Sequence, residues 1–271
     1  MDQVGDKYVL PTGSKDAARL DVIHEVYGPL SVRGLEAAGM EGVRRAADIG
    51  CGTGTMSRWL AERMGDGSTV DAIDISEDQL AVARTRQPAA GAGTITYSIA
   101  SAYEPELPDA AYDIAFVRLV LCHLKEPHQA VAAMARLLKP GGRLVIVDMD
   151  MYSFLAMPPS EHYTRWLEGA RVHQTNIGVD YAVGTRLHEL LSDAGLETTY
   201  LAADQPIYNE GAGKNLWQNT WRNAVPYVVQ AGSLTPAEGD DLIAGMASHD
   251  ARPDVWIGVA KMFAAVGRKV G

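Results

Sequence analysis

The stretch Ala46-Ala47-Asp48-Ile49-Gly50-Cys51-Gly52-Thr53-Gly54 decides how the rest of this chain is read. It is apolar up to Ile49 except for one acid, turns on alternating glycines, and enters Thr55-Met56-Ser57-Arg58-Trp59-Leu60, which reads as a helix start. A strand that feeds a helix through glycines lets the backbone approach a ligand closely at the carboxyl edge of a parallel sheet. Such sites place an acid at the end of the next strand, about 20 residues on, to hold a ribose. Val70-Asp71-Ala72-Ile73-Asp74-Ile75-Ser76 puts Asp74 in that position. The pattern is that of a nucleoside-cofactor site.

Details of the loop separate the cofactors. A dinucleotide site wants G-x-G-x-x-G, with pyrophosphate on the helix N-terminus. Here the glycines alternate as G-x-G-x-G, and Asp48 sits just before the turn. A carboxylate there repels a pyrophosphate and attracts a cationic ligand, such as a sulfonium that carries an ammonium group. A nicotinamide oxidoreductase therefore fails on both spacing and charge. The loop resembles motif I of the class I S-adenosylmethionine-dependent methyltransferases.

Later segments carry the same resemblance. Thr94–Ile99 alternates as a strand, and Tyr112-Asp113-Ile114-Ala115-Phe116-Val117 reads as a buried one. Pro127 to Leu138 carries a helical apolar stripe, stopped by Lys139-Pro140-Gly141-Gly142 before the strand Arg143–Asp148. The Leu-Lys-Pro-Gly-Gly-Arg-Leu run is similar to the family's signature before its fifth strand. Matches in this order span residues 46–150. They are strongest toward small-molecule methyltransferases, among them quinone-biosynthesis C-methyltransferases and natural-product enzymes.

The fold this implies is α/β: a Rossmann-like, seven-stranded, mostly parallel sheet with helices on both faces and a helical cap. Residues 46–209 and 253–271 would form the core, and residues 1–45 a helical segment closing over the cofactor. Residues 210–252 form a long insertion with helices near Asn215–Val229 and Pro236–Ala247; insertions of that length are usually lids or binding elements. Gly184–Leu191 reads as an amphipathic helix and Glu197–Asp204 as a strand. Val255–Arg268 reads as a single last strand, antiparallel beside the fifth by family resemblance.

The resemblance also implies site residues. Asp48 would orient the cofactor's amino-acid part, with Gly50, Gly52 and Gly54 permitting close approach. Asp74 would hold the ribose, with Ile75 and Gln79 beside the adenine. Ser101 and Ala102 would border the base, although relatives often read Gly-Asp-Ala where this chain has serine. Arg118 would cover the sulfonium side through its backbone, and Tyr8 would help close the site. His123, after the fourth strand, is the candidate base or a pocket-shaping residue. Tyr152, His162, Trp166 and His173 fall in the segment that lines the acceptor cavity in relatives. Trp217 and Trp221 stand four apart and share a helix face, either lining that cavity or pinning the helix to the core.

Composition narrows the partners. A net charge of −10 and the absence of a basic stripe disfavour nucleic acid. No apolar run is long enough to span a bilayer, and the start lacks a signal-peptide pattern, so a cytoplasmic protein is expected. The only cysteines, Cys51 and Cys122, suit a reducing compartment. Arg118 stands where catechol-type enzymes carry a magnesium-binding acid, so no metal is expected. The cofactor implied is S-adenosylmethionine, leaving as S-adenosylhomocysteine, and the partner is a small-molecule acceptor. An apolar face on the insertion would support a homodimer. Two functions compete on this reading: methyl transfer to oxygen, nitrogen or carbon, and cofactor binding without transfer, as in a cyclisation, a rearrangement or a binding module.

Overall fold

Short apolar runs separated by amphipathic stretches produce an alternating chain in the computed structural model, which describes residues 17–230 and 232–271. The elements are α1 (Ala17–Ala38), β1 (Arg45–Ile49), α2 (Thr55–Met64), β2 (Thr69–Asp74), α3 (Glu77–Thr85), β3 (Thr94–Ile99) and β4 (Tyr112–Arg118). Next come α4 (Pro127–Leu137), β5 (Leu138–Asp150), β6 (Leu155–Met157), α5 (Glu161–Ile177), α6 (Leu187–Asp193) and β7 (Leu196–Asp204). The chain ends with β8 (Ile207–Tyr208), α7 (Gly211–Lys214), α8 (Leu216–Gln230), α9 (Pro236–Asp250), β9 (Trp256–Gly258) and β10 (Lys261–Lys269).

Seven strands form one sheet in the order β3-β2-β1-β4-β5-β10-β7. All neighbours from β3 to β5 are parallel, and β10 runs antiparallel between β5 and β7. The central strands read as near-continuous apolar runs because helices cover both faces. In β4, Ile114, Ala115, Phe116 and Val117 are all buried. On one face, Gly34 lets α1 settle against Val145 and Ala264. On the other, Gly267 makes room for Leu191 of α6. The order in which strands are added reverses between β1 and β4, which opens a crevice at their carboxyl ends; open α/β sheets bind ligands at such a point.

Two expectations need correction. Val255–Arg268 is not one strand, because the chain leaves a small antiparallel sheet (β6-β9-β8) after Gly258 and enters the main sheet at Lys261. The break at Val259–Ala260 is stable because its backbone groups find partners. Val259 N–H donates to Pro206, the Val259 carbonyl accepts from Gln205, and Lys261 N–H donates to Ser153 Oγ at 2.7 Å. The helix read from Gly184 begins as a 3-10 turn (Val183–Arg186), and α6 proper starts at Leu187. Gly184 lies against the Asp148 and Met149 carbonyls with no room for a Cβ, so this turn is pressed onto the end of β5.

Candidate active site

The glycine loop is left-handed at each of its turns, with φ of 69° at Gly50, 54° at Gly52 and 71° at Gly54. Residues with a Cβ adopt this region only with strain. Gly50 N–H and Cys51 N–H both donate to the Ile73 carbonyl, at 2.8 and 2.9 Å, tying the loop to the end of β2. A side chain at Gly50 would overlap Val120, so the loop also sits tight against the segment after β4. Gly54 has a different task. It faces away from the cavity, and its bare Cα lets α2 pack against Tyr97 of β3.

Asp74 braces the loop from β2. Its Oδ2 accepts Gly52 N–H at 2.8 Å and its Oδ1 accepts Ser76 N–H at 2.9 Å. A carboxylate oxygen takes more than one donor, so both oxygens can still receive a ribose hydroxyl. Burial pushes its pKa up, against the pull of those amide bonds. Asp48 is 2% exposed and accepts Ser57 Oγ–H at 2.6 Å. Burial raises it to about 6, with the Ser57 bond and the Arg118 charge opposing. Arg118 is lowered to about 10 by burial, and Asp48 offsets part of that. Beyond the backbone role expected of it, Arg118 extends its guanidinium toward α1, 3.4 Å from both His24 Nδ1 and Ser31 Oγ.

These groups open into a cavity of about 1030 Å³ that continues past the cofactor end toward α5 and α8. Ligand sites of this kind span about 300–1,000 Å³, so both a cofactor and an acceptor fit. Asp48, Gly50, Gly52, Asp74, Ile75, Gln79, Ser101, Ala102, Arg118 and His123 line it, and so do Trp166, His173, Trp217 and Trp221. Gly54, Tyr152 and His162 do not, and Tyr8 lies outside the described residues. After β5 the chain makes a 3-10 turn at Met151–Ser153, which sends Met151 inward and leaves Tyr152 under the Arg171 guanidinium, 3.8 Å from its ring centroid. His162 sits at the first turn of α5, where its ring covers Gly245 of α9. Trp166, Ala170 and His173 share the inward face of α5 further along.

The residues present fit a nucleoside cofactor on their own geometry. Ile75 is 51% exposed at the cavity edge, an apolar surface that an adenine ring would cover. Gln79 Oε1 is buried with no hydrogen-bond partner, an acceptor suited to an exocyclic amino group. Ser101 Oγ accepts Tyr103 N–H at 3.2 Å, which leaves its own O–H to donate toward the base.

At the other end, Trp166 lies 5.5 Å from Trp217 and 5.9 Å from Trp221, ring centroid to centroid. The Trp217 indole N–H approaches the Tyr27 hydroxyl without reaching hydrogen-bond geometry. His173 is buried, which lowers its pKa, and its Nδ1 has no partner. His123 is pushed down to about 4, by burial first and by the nearby Arg19 charge second. Sequence reasoning missed Arg19, Tyr27, Tyr181 and Tyr227, all of which line the cavity. Tyr181 lies in a loop without periodicity, and Arg19 opens a helix whose only readable signal was its apolar stripe.

Comparison with known proteins agrees with this geometry. Residues 47–146 match the family model described as a methyltransferase domain. The methyltransferase GfsG of Streptomyces halstedii is 30% identical over 135 residues, which are 49% of this chain and only 48% of that protein. The ubiquinone/menaquinone biosynthesis C-methyltransferase UbiE of Shewanella halifaxensis is 27% identical over 184 residues, 60% of this chain and 70% of that one. Among solved structures, geranyl diphosphate C-methyltransferase from Streptomyces coelicolor, bound to Mg2+, geranyl diphosphate and S-adenosylhomocysteine, has a TM-score of 0.54. That likeness covers 94% of this chain and 84% of the other at 13% identity, and shows a shared fold. With the glycine loop, Asp74 and the seven-stranded sheet around it, residues 47–146 carry a methyltransferase domain, on the fold shared with that solved methyltransferase.

Proposed function

We propose that the protein methylates a small, largely apolar organic acceptor of natural-product or quinone-like metabolism. The observation that carries this reading is the tryptophan wall of α5 and α8, which contributes no carboxylate and no lysine to the cavity. When bound, S-adenosylmethionine supplies an electrophilic methyl group on a sulfonium, so the protein has mainly to align the acceptor and exclude water. Asp74 holds the ribose, Asp48 and Arg118 set the field at the amino-acid end, and Ile75, Gln79, Ser101 and Ala102 frame the base. His123, which burial keeps neutral, lines the cavity as the candidate to accept a hydrogen bond from an acceptor hydroxyl. The insertion, through α8, acts as a lid over the acceptor, and α1 closes the cofactor side.

The experiment that tests this is calorimetric titration with S-adenosylmethionine, S-adenosylhomocysteine and NADH, followed by acceptor screening. Binding of the two sulfur nucleosides alone, then gain of one methyl in a phenolic, amine or quinol acceptor, is the expected result. Release of an isomer of unchanged mass would instead make the protein a cofactor-binding cyclase or isomerase. No binding of either sulfur nucleoside would end the methyltransferase reading.

A pH dependence follows from Asp48. Its pKa of about 6 in the free protein lies above that of an ordinary carboxylate, so it holds a proton below pH 6 that a cationic ligand requires it to release. Asp74 is shifted in the same direction. Affinity for S-adenosylmethionine should therefore fall with decreasing pH, by up to about tenfold per unit below the midpoint. Ser57→Ala removes a bond that favours the carboxylate and should move that midpoint up by about one unit. Titrations at a series of pH values read this out, and a flat profile would separate Asp48 from the cofactor.

The reading places the protein in a reducing, cytoplasmic compartment, supported by Cys51 and Cys122 as free thiols. Among the described residues no helix is long and apolar enough to cross a membrane. The net charge of −10 speaks against nucleic acid as a partner. A homodimer is supported less by the insertion than by the small sheet. There Leu155, Met157, Ile207 and Trp256 lie exposed on one face. Analytical ultracentrifugation decides between monomer and dimer.

A further inference from the structure

Among the described residues, nine buried side-chain N and O atoms have no hydrogen-bond partner, and five of them belong to residues that line the cavity. These five are Tyr27 Oη, Gln79 Oε1, His173 Nδ1, Trp217 Nε1 and Trp221 Nε1. Buried polar groups in folded proteins are nearly all paired, so orphans gathered at one cavity point to a ligand that pairs them. Gln79 belongs to the adenine end. The other four come from α1, α5 and α8.

Tyr27 of α1 and Trp217 of α8 meet where the two helices pack, and the indole N–H approaches the hydroxyl. Trp221 stands one turn further along the same face of α8. An indole N–H donates and cannot accept. Burial holds the Tyr27 hydroxyl protonated, well above the usual tyrosine range, with the Trp217 contact opposing. A group that pairs these three must therefore accept. A carbonyl oxygen carries two lone pairs and no hydrogen, so it can take two of the donors at once. An ammonium group would bring donors to donors. A carboxylate can accept, but stripping its water beside the Trp166, Trp217 and Trp221 rings is costly.

We propose that Tyr27, Trp217 and Trp221 form a carbonyl-binding notch between α1 and α8, and that the acceptor is a ketone, quinone or lactone held there by its oxygen. This rests on the methyl-transfer reading, with α8 as the lid, and narrows the acceptor. The three donor atoms are covered in the structure, so the oxygen enters as α8 opens and is enclosed as it closes. His173, two turns along α5 from Trp166, is the contact for a second oxygen of the same molecule. The notch binds and orients the acceptor and takes no part in making or breaking bonds.

The test titrates the full chain, saturated with S-adenosylhomocysteine, with three probes on one ring skeleton: 9-fluorenone, fluorene and 9-fluorenecarboxylate. The ketone should bind at least about tenfold more tightly than the hydrocarbon, as two neutral hydrogen bonds allow. Its infrared carbonyl stretch should move to lower frequency on binding. Tyr27→Phe deletes one donor and keeps the ring. It should weaken fluorenone about fivefold and leave fluorene unchanged. Its melting temperature should not fall, because the lost hydroxyl has no partner in the free protein. A fall of several degrees would mean that the hydroxyl is already used in the fold, and would overturn the notch. So would equal affinity for ketone and hydrocarbon, an unshifted carbonyl stretch, or tighter binding of the carboxylate. Absence of binding by both 9-fluorenone and the smaller 1-indanone, up to their solubility limits, would overturn it as well. Failure of S-adenosylhomocysteine to bind would instead remove the methyl-transfer reading, and ketone titration of the unliganded chain keeps the two failures distinguishable.

Discussion

Asp74→Ala is expected to weaken S-adenosylhomocysteine binding by at least about 100-fold, because hydrogen bonds to a charged group contribute about 1.5–3 kcal/mol each and a ribose diol makes two. The substitution removes more than those contacts. Gly52 N–H and Ser76 N–H lose the oxygens that hold them at 2.8 and 2.9 Å, so the glycine loop loses its brace at the same time. Asp74→Asn separates the two effects. An amide keeps one acceptor and can still hold one of the two backbone donors, so an intermediate loss is expected. Calorimetry on folded protein, with melting temperature as the control, reads both variants. Affinity equal to that of the unsubstituted protein would take the ribose away from Asp74.

Trp166→Ala should be the most damaging single change to the acceptor side. Trp166 is 2% exposed and sits among Phe154, Tyr163, Trp217 and Trp221, with ring centroids 5.5–6.1 Å away. Truncating a buried tryptophan costs about 3–5 kcal/mol, and in a chain of this size that lowers Tm by roughly 10 °C. The loss has a functional signature that ordinary destabilisation lacks. Trp166 also lines the cavity, from α5 rather than from the glycine loop or the end of β2, so the folded fraction should still bind S-adenosylhomocysteine while acceptor methylation collapses. Trp166→Phe keeps an aromatic ring and should recover most of the stability but less of the turnover. A Tm change of only a degree or two with turnover retained would mean that the cluster neither supports the cap nor shapes the acceptor site.

Local chemistry was readable from the order of residues. Gly50 and Gly52 face backbone conformations that a Cβ resists, and that requirement is visible in sequence because it concerns single residues. Asp74 could be placed because the ribose acid sits at a fixed distance from the loop, at the end of the adjacent strand. Periodicity located α4, α8 and α9 within a few residues of their observed ends, since each buries one face.

Other features depended on how distant segments meet. The turn at Met151–Ser153 sends Met151 rather than Tyr152 into the cavity, and a shift of one residue at a strand end is invisible in composition. His162 follows the pattern of the α5 face that lines the cavity, yet α9 reaches that end first and covers it. The run Val255–Arg268 is apolar enough for one strand, but Ser153 and Gln205 stabilise a break that divides it between two sheets. Tyr27 and Trp217 carry no shared motif. Patterns within one element come from that element's own geometry, and so survive in the sequence. A site built where α1 and α8 converge exists only after long-range packing has brought them together.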